Sequence, residues 1–159
     1  MGANKLNGYR ALRIIPSDNA DIPYPAVTTS GTNTSATSNK LVDSGATFQT
    51  SKVQIGDIVY NTTDSSTTYV TNVDSETVLS LNNDIFAAGS KDYVIYSGNQ
   101  NNGCVLYVGG TGNVNCVTAG GDTVLFNSVA VGILGGTCPV QVIKVLSTST
   151  TATLINAVW

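Results

Sequence analysis

The sequence predicts an all-β protein: a C-terminal antiparallel β-sandwich or meander, a small barrel-like β module before it, and an extended N-terminal arm. Three observations carry that expectation. No segment repeats its apolar residues at helical spacing between capping residues. Ser, Thr and Asn make up about a third of the chain, and they suit strands and turns better than helices. Short apolar runs alternate with turn signals rich in Gly, Asp and Asn.

Residues 1–27 form the arm. Tyr9, Leu12, Ile14 and Ile15 give it an apolar run, and Pro16, Pro23 and Pro25 punctuate it. Proline fixes φ and favours an extended residue before it. No partner strand is evident for this stretch, so its apolar side chains are expected on a neighbouring protein. Removal of residues 1–15 should then leave the β regions folded. Residues 28–40 are a low-complexity run of Thr, Ser, Asn and Gly that reads as a polar linker.

Residues 41–97 follow as a compact module with strands expected at 46–50, 57–61, 67–73, 77–81 and 92–96. Five short strands at that spacing suggest a small barrel or curled sheet. Residues 98–103 make a second polar joint. Residues 104–159 form the C-terminal β domain, with strands at 105–108, 114–118, 123–129, 140–146 and 152–159 and paired glycines at its turns. Trp159 ends the last of these strands, and a large aromatic there needs cover. The candidate interface residues are therefore Tyr9, Ile14, Ile15, Ile22, Tyr24 and Trp159.

The composition narrows the function. Charged residues are 11% of the chain and the net charge is −3, with no basic run, so nucleic acid is not an expected partner. No apolar stretch approaches the ~18 residues that span a bilayer, and residues 1–10 lack the apolar core of an export signal. Neither a membrane nor export by a cleaved signal is expected. A chain so poor in charge fits best in an assembly whose faces are covered.

Histidine is absent, which removes the commonest general base and metal ligand. Cys104, Cys116 and Cys138 lack zinc spacing. They read as small buried reduced residues, the alternative being a disulfide within or between subunits. No cofactor, metal site or catalytic residue is expected. Asn33 and Asn61 each head a glycosylation sequon, which chance supplies in so Thr-rich a chain. Tyr60, Tyr69, Tyr93 and Tyr96 crowd the middle module, where packing is the commoner use and a face for a surface glycan the rarer one.

One stretch imitates a catalytic loop. Leu41-Val-Asp-Ser-Gly-Ala-Thr47 resembles the active-site loop of retroviral-type aspartic proteases, in which two chains each supply one Asp. Gly132-Ile-Leu-Gly135 resembles that family's second motif. There, however, the motif leads into a helix, whereas here it leads into the strand-like Val140-Gln-Val-Ile-Lys-Val145. Asp43-Ser44-Gly45 therefore reads as an Asx-type turn at a strand end, and the chain is not expected to be an enzyme.

A second resemblance carries further. Residues 105–159 contain Val105-Leu-Tyr-Val-Gly-Gly-Thr-Gly-Asn-Val114, Val117-Thr-Ala-Gly-Gly-Asp-Thr-Val-Leu-Phe126, Pro139-Val-Gln-Val-Ile-Lys-Val145 and a final Ala157-Val-Trp159. Residues 11–22 add Ala11-Leu-Arg-Ile-Ile-Pro-Ser-Asp-Asn-Ala-Asp-Ile22. Together they resemble a family of tailed-phage head proteins that includes decoration or cement proteins and the head spike base proteins of gene-transfer-agent particles. Residues 41–97 resemble a separate strand module of phage structural proteins, inserted between the two stretches. The resemblance implies a capsid-surface protein of the virion exterior, assembled in the host cytoplasm. Its implied partners are the major capsid protein and copies of itself, as a trimer in preference to a pentamer. The alternative role it implies is a spike base at capsid vertices carrying a host-attachment fibre.

Overall fold

The computed structural model describes residues 10–98, 101–130 and 136–159, and its regular structure is all β: thirteen strands in two antiparallel sheets. In chain order these are β1 (Ala11–Arg13), β2 (Val27–Thr32), β3 (Ser35–Thr37), β4 (Lys40–Val42), β5 (Ile58–Asn61), β6 (Ser66–Val73), β7 (Val78–Leu81), β8 (Asp92–Tyr96), β9 (Cys104–Gly110), β10 (Gly112–Thr118), β11 (Thr123–Val129), β12 (Gly136–Val145) and β13 (Thr153–Val158).

Six strands form one sheet in the order β1-β13-β9-β12-β10-β11. Its inner face follows the period of two. Leu106 and Val108 are buried while Tyr107 between them is exposed, and Ile155 and Ala157 alternate likewise on β13. The order is not the expected meander, because β12 inserts between β9 and β10. The register of β12 against β9 shifts between Cys138 and Val142. Pro139, which has no N–H to give a ladder, lies in that irregular stretch.

The N-terminal segment belongs to this same sheet, contrary to the expectation of an arm on a neighbour. β1 pairs with the end of β13, Ala11 opposite Val158 and Arg13 opposite Asn156. The backbone N–H groups of Ile14, Ser17 and Ile22 then donate to the carbonyls of Ile155, Val145 and Ile143 at 2.9, 2.8 and 2.8 Å. The segment thus crosses the inner face and drops Ile14 and Ile22 into a core with Leu106, Val108, Val114 and Val142. Asp18 fixes the crossing, accepting from the Ser147 hydroxyl at 2.6 Å, the Thr148 N–H at 3.0 Å and the Thr148 hydroxyl at 2.8 Å.

The seven remaining strands, all within residues 27–96, form the second sheet in the order β2-β8-β5-β6-β7-β4-β3. Its core gathers Leu41, Phe48, Val59, Val70, Leu79, Phe86, Tyr93 and Ile95. β5 is buried on both faces. Val59 enters this core, while Ile58 and Tyr60 pack on Tyr96, Ala20, Leu12 and Ile15. The segment after β1 is therefore the filling between the two sheets.

Residues 28–40 are not a linker. They supply most of β2, all of β3 and the first residue of β4. β-branched Thr is a good strand residue where one face meets solvent, and both β2 and β3 sit at sheet edges. Only Asn33 and Thr34 separate these opposite edges. Seven flat strands would hold their edges ~29 Å apart at ~4.8 Å per spacing, and so short a connection reaches only ~10 Å. The sheet must curl. Asn33 N–H donates to the Lys91 carbonyl beside β8 at 2.9 Å, and Thr34 N–H to the Val42 carbonyl on β4 at 2.8 Å.

Residues 46–50, expected as a strand, form successive turns instead. Ser51, Lys52 and Val53 donate backbone bonds to Thr47, Gln49 and Phe48. The Glu76 carboxylate takes the N–H groups of Gln49 and Thr50 at 3.0 and 3.1 Å and the Thr50 hydroxyl at 2.6 Å. These groups are satisfied locally and leave nothing for a ladder.

Candidate functional site

Asp43 follows β4 and is only 7% exposed. Its Oδ1 accepts the Gly45 N–H at 2.9 Å, the bond that defines an Asx turn, and its Oδ2 accepts the Tyr93 hydroxyl at 2.7 Å. Burial, the bond to Asp43 and the charge of Asp43 all push the Tyr93 hydroxyl well above its usual pKa. Gly31 on β2 makes room for the pair: a Cβ there would lie 2.6 Å from the Tyr93 hydroxyl and 2.7 Å from Asp43 Oδ2. Both carboxylate oxygens are thus engaged inside one chain, an arrangement that serves a turn and a strand contact better than a peptide bond. Residues 132–135, the protease-like second motif, lie outside the described residues.

Of the interface residues named from the sequence, Ile14 and Ile22 are buried in the core of the six-stranded sheet and have no face to offer a neighbour. Ile15 packs between the sheets. Tyr24 meets Trp159 edge to face, ring centroids 5.5 Å apart, and the Arg10 guanidinium lies 5.4 Å from the Tyr24 ring centre. The Trp159 indole N–H donates to Asn101 Oδ1 at 3.2 Å. Much of the cover that Trp159 needs is therefore intramolecular. Tyr9 lies outside the described residues.

The tyrosines of the middle region do not share one face: Tyr93 lies in the core of the second sheet, while Tyr60 and Tyr96 pack between the sheets. Tyr60, Tyr93 and Tyr96 are buried, and the half-buried Tyr69 donates to Asn82 Oδ1 at 2.9 Å. Both sequon asparagines are buried structural residues. Asn33 Nδ2 donates to the Ser35 and Ala88 carbonyls while its Oδ1 accepts the Lys91 N–H. Asn61 Nδ2 donates to Asp64 and to the Ile85 carbonyl. Neither amide is free for a glycan in the folded chain.

The three cysteines are free and buried in the core of the six-stranded sheet. Burial, and then the neighbouring Cys116, pushes the Cys104 thiol up to about 12; burial, and then Cys138, pushes Cys116 up to about 11. Thiolates form only with difficulty there, so these are packing residues without nucleophilic character. No group of three or more His, Cys, Asp or Glu side chains suited to a metal occurs among the described residues.

An open cleft of about 580 Å³ lies between the sheets, floored by Leu12, Ile15, Tyr60 and Tyr96 and rimmed by Thr62 and Leu154. Among the described residues the exposed large apolar side chains are Val27, Ile55, Tyr107, Leu125 and Leu154, three of them on the six-stranded sheet.

Sequence reasoning did not single out Asn33, Asn61 or Asn101 as ties between distant segments. Asn101 Nδ2 donates to the Ile22 carbonyl at 2.7 Å, and its Oδ1 serves both Gly103 and Trp159. The chain holds 16 Asn residues spread over strands and loops, and nothing local to these three marks them out. Comparison with family models, with curated proteins and with solved structures finds no match to this chain.

Proposed function

We propose that this chain is a capsid-surface structural protein of a tailed phage, a decoration or cement protein that associates with copies of itself and binds the major capsid protein. One observation supports the reading above the others. The two stretches that carry the resemblance to that family, residues 11–22 and 105–159, are far apart in sequence yet share one sheet and one core. A fold assembled from those stretches, interrupted by a self-contained β module, is what the resemblance implies. In this reading the six-stranded sheet with residues 14–22 across it is a sandwich-like platform. The inserted sheet is a barrel-like module, because Asn33 and Thr34 join its two edges. Holding a shell needs many modest contacts rather than chemistry, each burying ~800 Å² per partner and multiplied by symmetry.

Native mass spectrometry of the purified chain reads the self-association. A trimer, alone or as a pair of trimers, is expected, and a stable monomer at micromolar concentration overturns it. Electron microscopy of heads carrying the protein reads its place. Density on the outer shell between capsomers is expected. Density confined to fivefold vertices assigns the spike base role instead, and a bare shell overturns the capsid reading.

A further inference from the structure

We propose that β11 is a self-pairing edge, and that two copies of the chain join there as antiparallel strands centred on Leu125. The inference deepens the self-association proposed above and rests on it for its partner; attachment to a capsid is not required.

β11 is the last strand of its sheet and among the described residues pairs only with β10. Its outer edge is a row of backbone donors and acceptors, a ready template for another strand. Proteins blunt such edges with charge, with proline or with short length. Thr123–Val129 holds no charged residue and no proline, and its one irregularity, a register shift against β10 between Phe126 and Val129, lies at its far end and leaves Thr123–Asn127 as the open edge. The other edge of the sheet, β1, is only three residues long and is followed by Pro16.

The side chains of β11 select a second copy as the occupant. Leu125 is 43% exposed on the outer face, flanked by exposed Thr123 and Asn127, while Val124 and Phe126 face inward half-buried. Antiparallel pairing about Leu125 sets Leu125 opposite Leu125 of the copy, Thr123 opposite Asn127, and Val124 opposite Phe126. Apolar meets apolar on both faces, and the aromatic-with-β-branched pair is among the favourable cross-strand pairs. Asp122 falls opposite Ser128 rather than against another carboxylate, so no like charges meet. The regular stretch also ends in the right place. Ser128 has a φ of 51° and its N–H is taken by Asn113 Oδ1 at 3.0 Å, which closes the usable edge after Asn127. Phe126 already packs on the core, and the copy would complete its cover. The contact is isologous, so it closes as a pair and adds a two-fold axis to any ring the chain builds.

Two variants of the full chain test this. Leu125→Lys sets two ammonium groups against each other across the axis. It should weaken the pair by about tenfold or more in sedimentation equilibrium, with an unchanged circular dichroism spectrum. Leu125→Cys should give a covalent dimer on mild oxidation, because 125 faces its own copy and the native thiols are buried. Thr123→Cys should not, because 123 faces 127. A ring that persists in Leu125→Lys while the two-fold pairing of rings disappears supports the proposal and leaves the capsid reading standing. Wild-type protein without any two-fold pairing, or equal crosslinking through 123 and 125, overturns the proposal.

Discussion

Replacing Ile14 by alanine separates an intramolecular first segment from an arm that waits for a neighbour. Ile14 is 5% exposed and sits with Ile22, Leu106, Val108 and Ile155. The substitution removes three carbons from a closed core. At about 0.8 kcal/mol per buried methylene the transfer loss is about 2.4 kcal/mol. The cavity left between two strands and a crossing segment adds to this, giving about 3–4 kcal/mol, within the usual range for such changes. Against a typical stability of roughly 5–15 kcal/mol, that is a large fraction. With a urea slope of ~2 kcal/mol/M the midpoint should fall by ~1.5–2 M. The single Trp159, packed on Tyr24, reports the transition by fluorescence. Equilibrium unfolding at fixed protein concentration is the assay. A midpoint within about 0.3 M of wild type, with self-association or particle binding weakened instead, would refute the reasoning. For the same cause, deletion of residues 1–15 should destabilise the six-stranded sheet instead of leaving it folded.

Gly31→Ala should cost about 1–3 kcal/mol, because its Cβ collides with the Tyr93–Asp43 bond. Asp43→Ala should cost a similar amount by leaving the Tyr93 hydroxyl buried and unpaired, read from the urea midpoint. Thr67 Oγ1 is buried without a partner, so Thr67→Val should raise stability by about 1 kcal/mol, whereas a drop would mean the hydroxyl is satisfied. Asp18, Asp64, Asp74 and Glu76 are held below their ordinary pKa chiefly by bonds from Ser147, Lys91, Lys40 and Thr50 respectively. The folded chain therefore binds fewer protons than the unfolded chain in acid. Their stabilisation is complete above the ordinary carboxylate range and is lost as pH falls through the folded values. Asp18→Asn should flatten that acid slope in pH-dependent thermal melts.

Strand positions are legible where side-chain alternation and turns are local. Residues 92–96 and 123–129 form strands with the bounds read from the sequence. What pairs with what is not legible. β12 lies between β9 and β10 because of packing that no local period encodes. The run at 28–40 reads as linker because an edge strand with one wet face and a flexible tether share a composition. Asp43 can be recognised as a turn residue from Ser44-Gly45 beside it, but its partner Tyr93 lies fifty residues onward. The apolar pattern of residues 12–22 is visible in the sequence. Its partner strand is the last of the chain, so the pattern alone points wrongly to a neighbour.

The inserted sheet begins and ends on neighbouring strands, Val27 opposite Tyr96. That geometry links the folding order of the two sheets. While the insert is unfolded, residues 11–22 can meet β12 and β13 only by closing a loop that includes roughly 70 disordered residues. Once the insert has folded, its ends are held side by side and only residues 23–26 and 97–103 remain as the effective loop. The closure cost falls by about 1.5–2 kcal/mol, from the logarithmic dependence on loop length. The insert acts as a clasp: formed first, it hands the outer sheet its first and last strands already close together, and its melting should loosen β1 before it loosens β9.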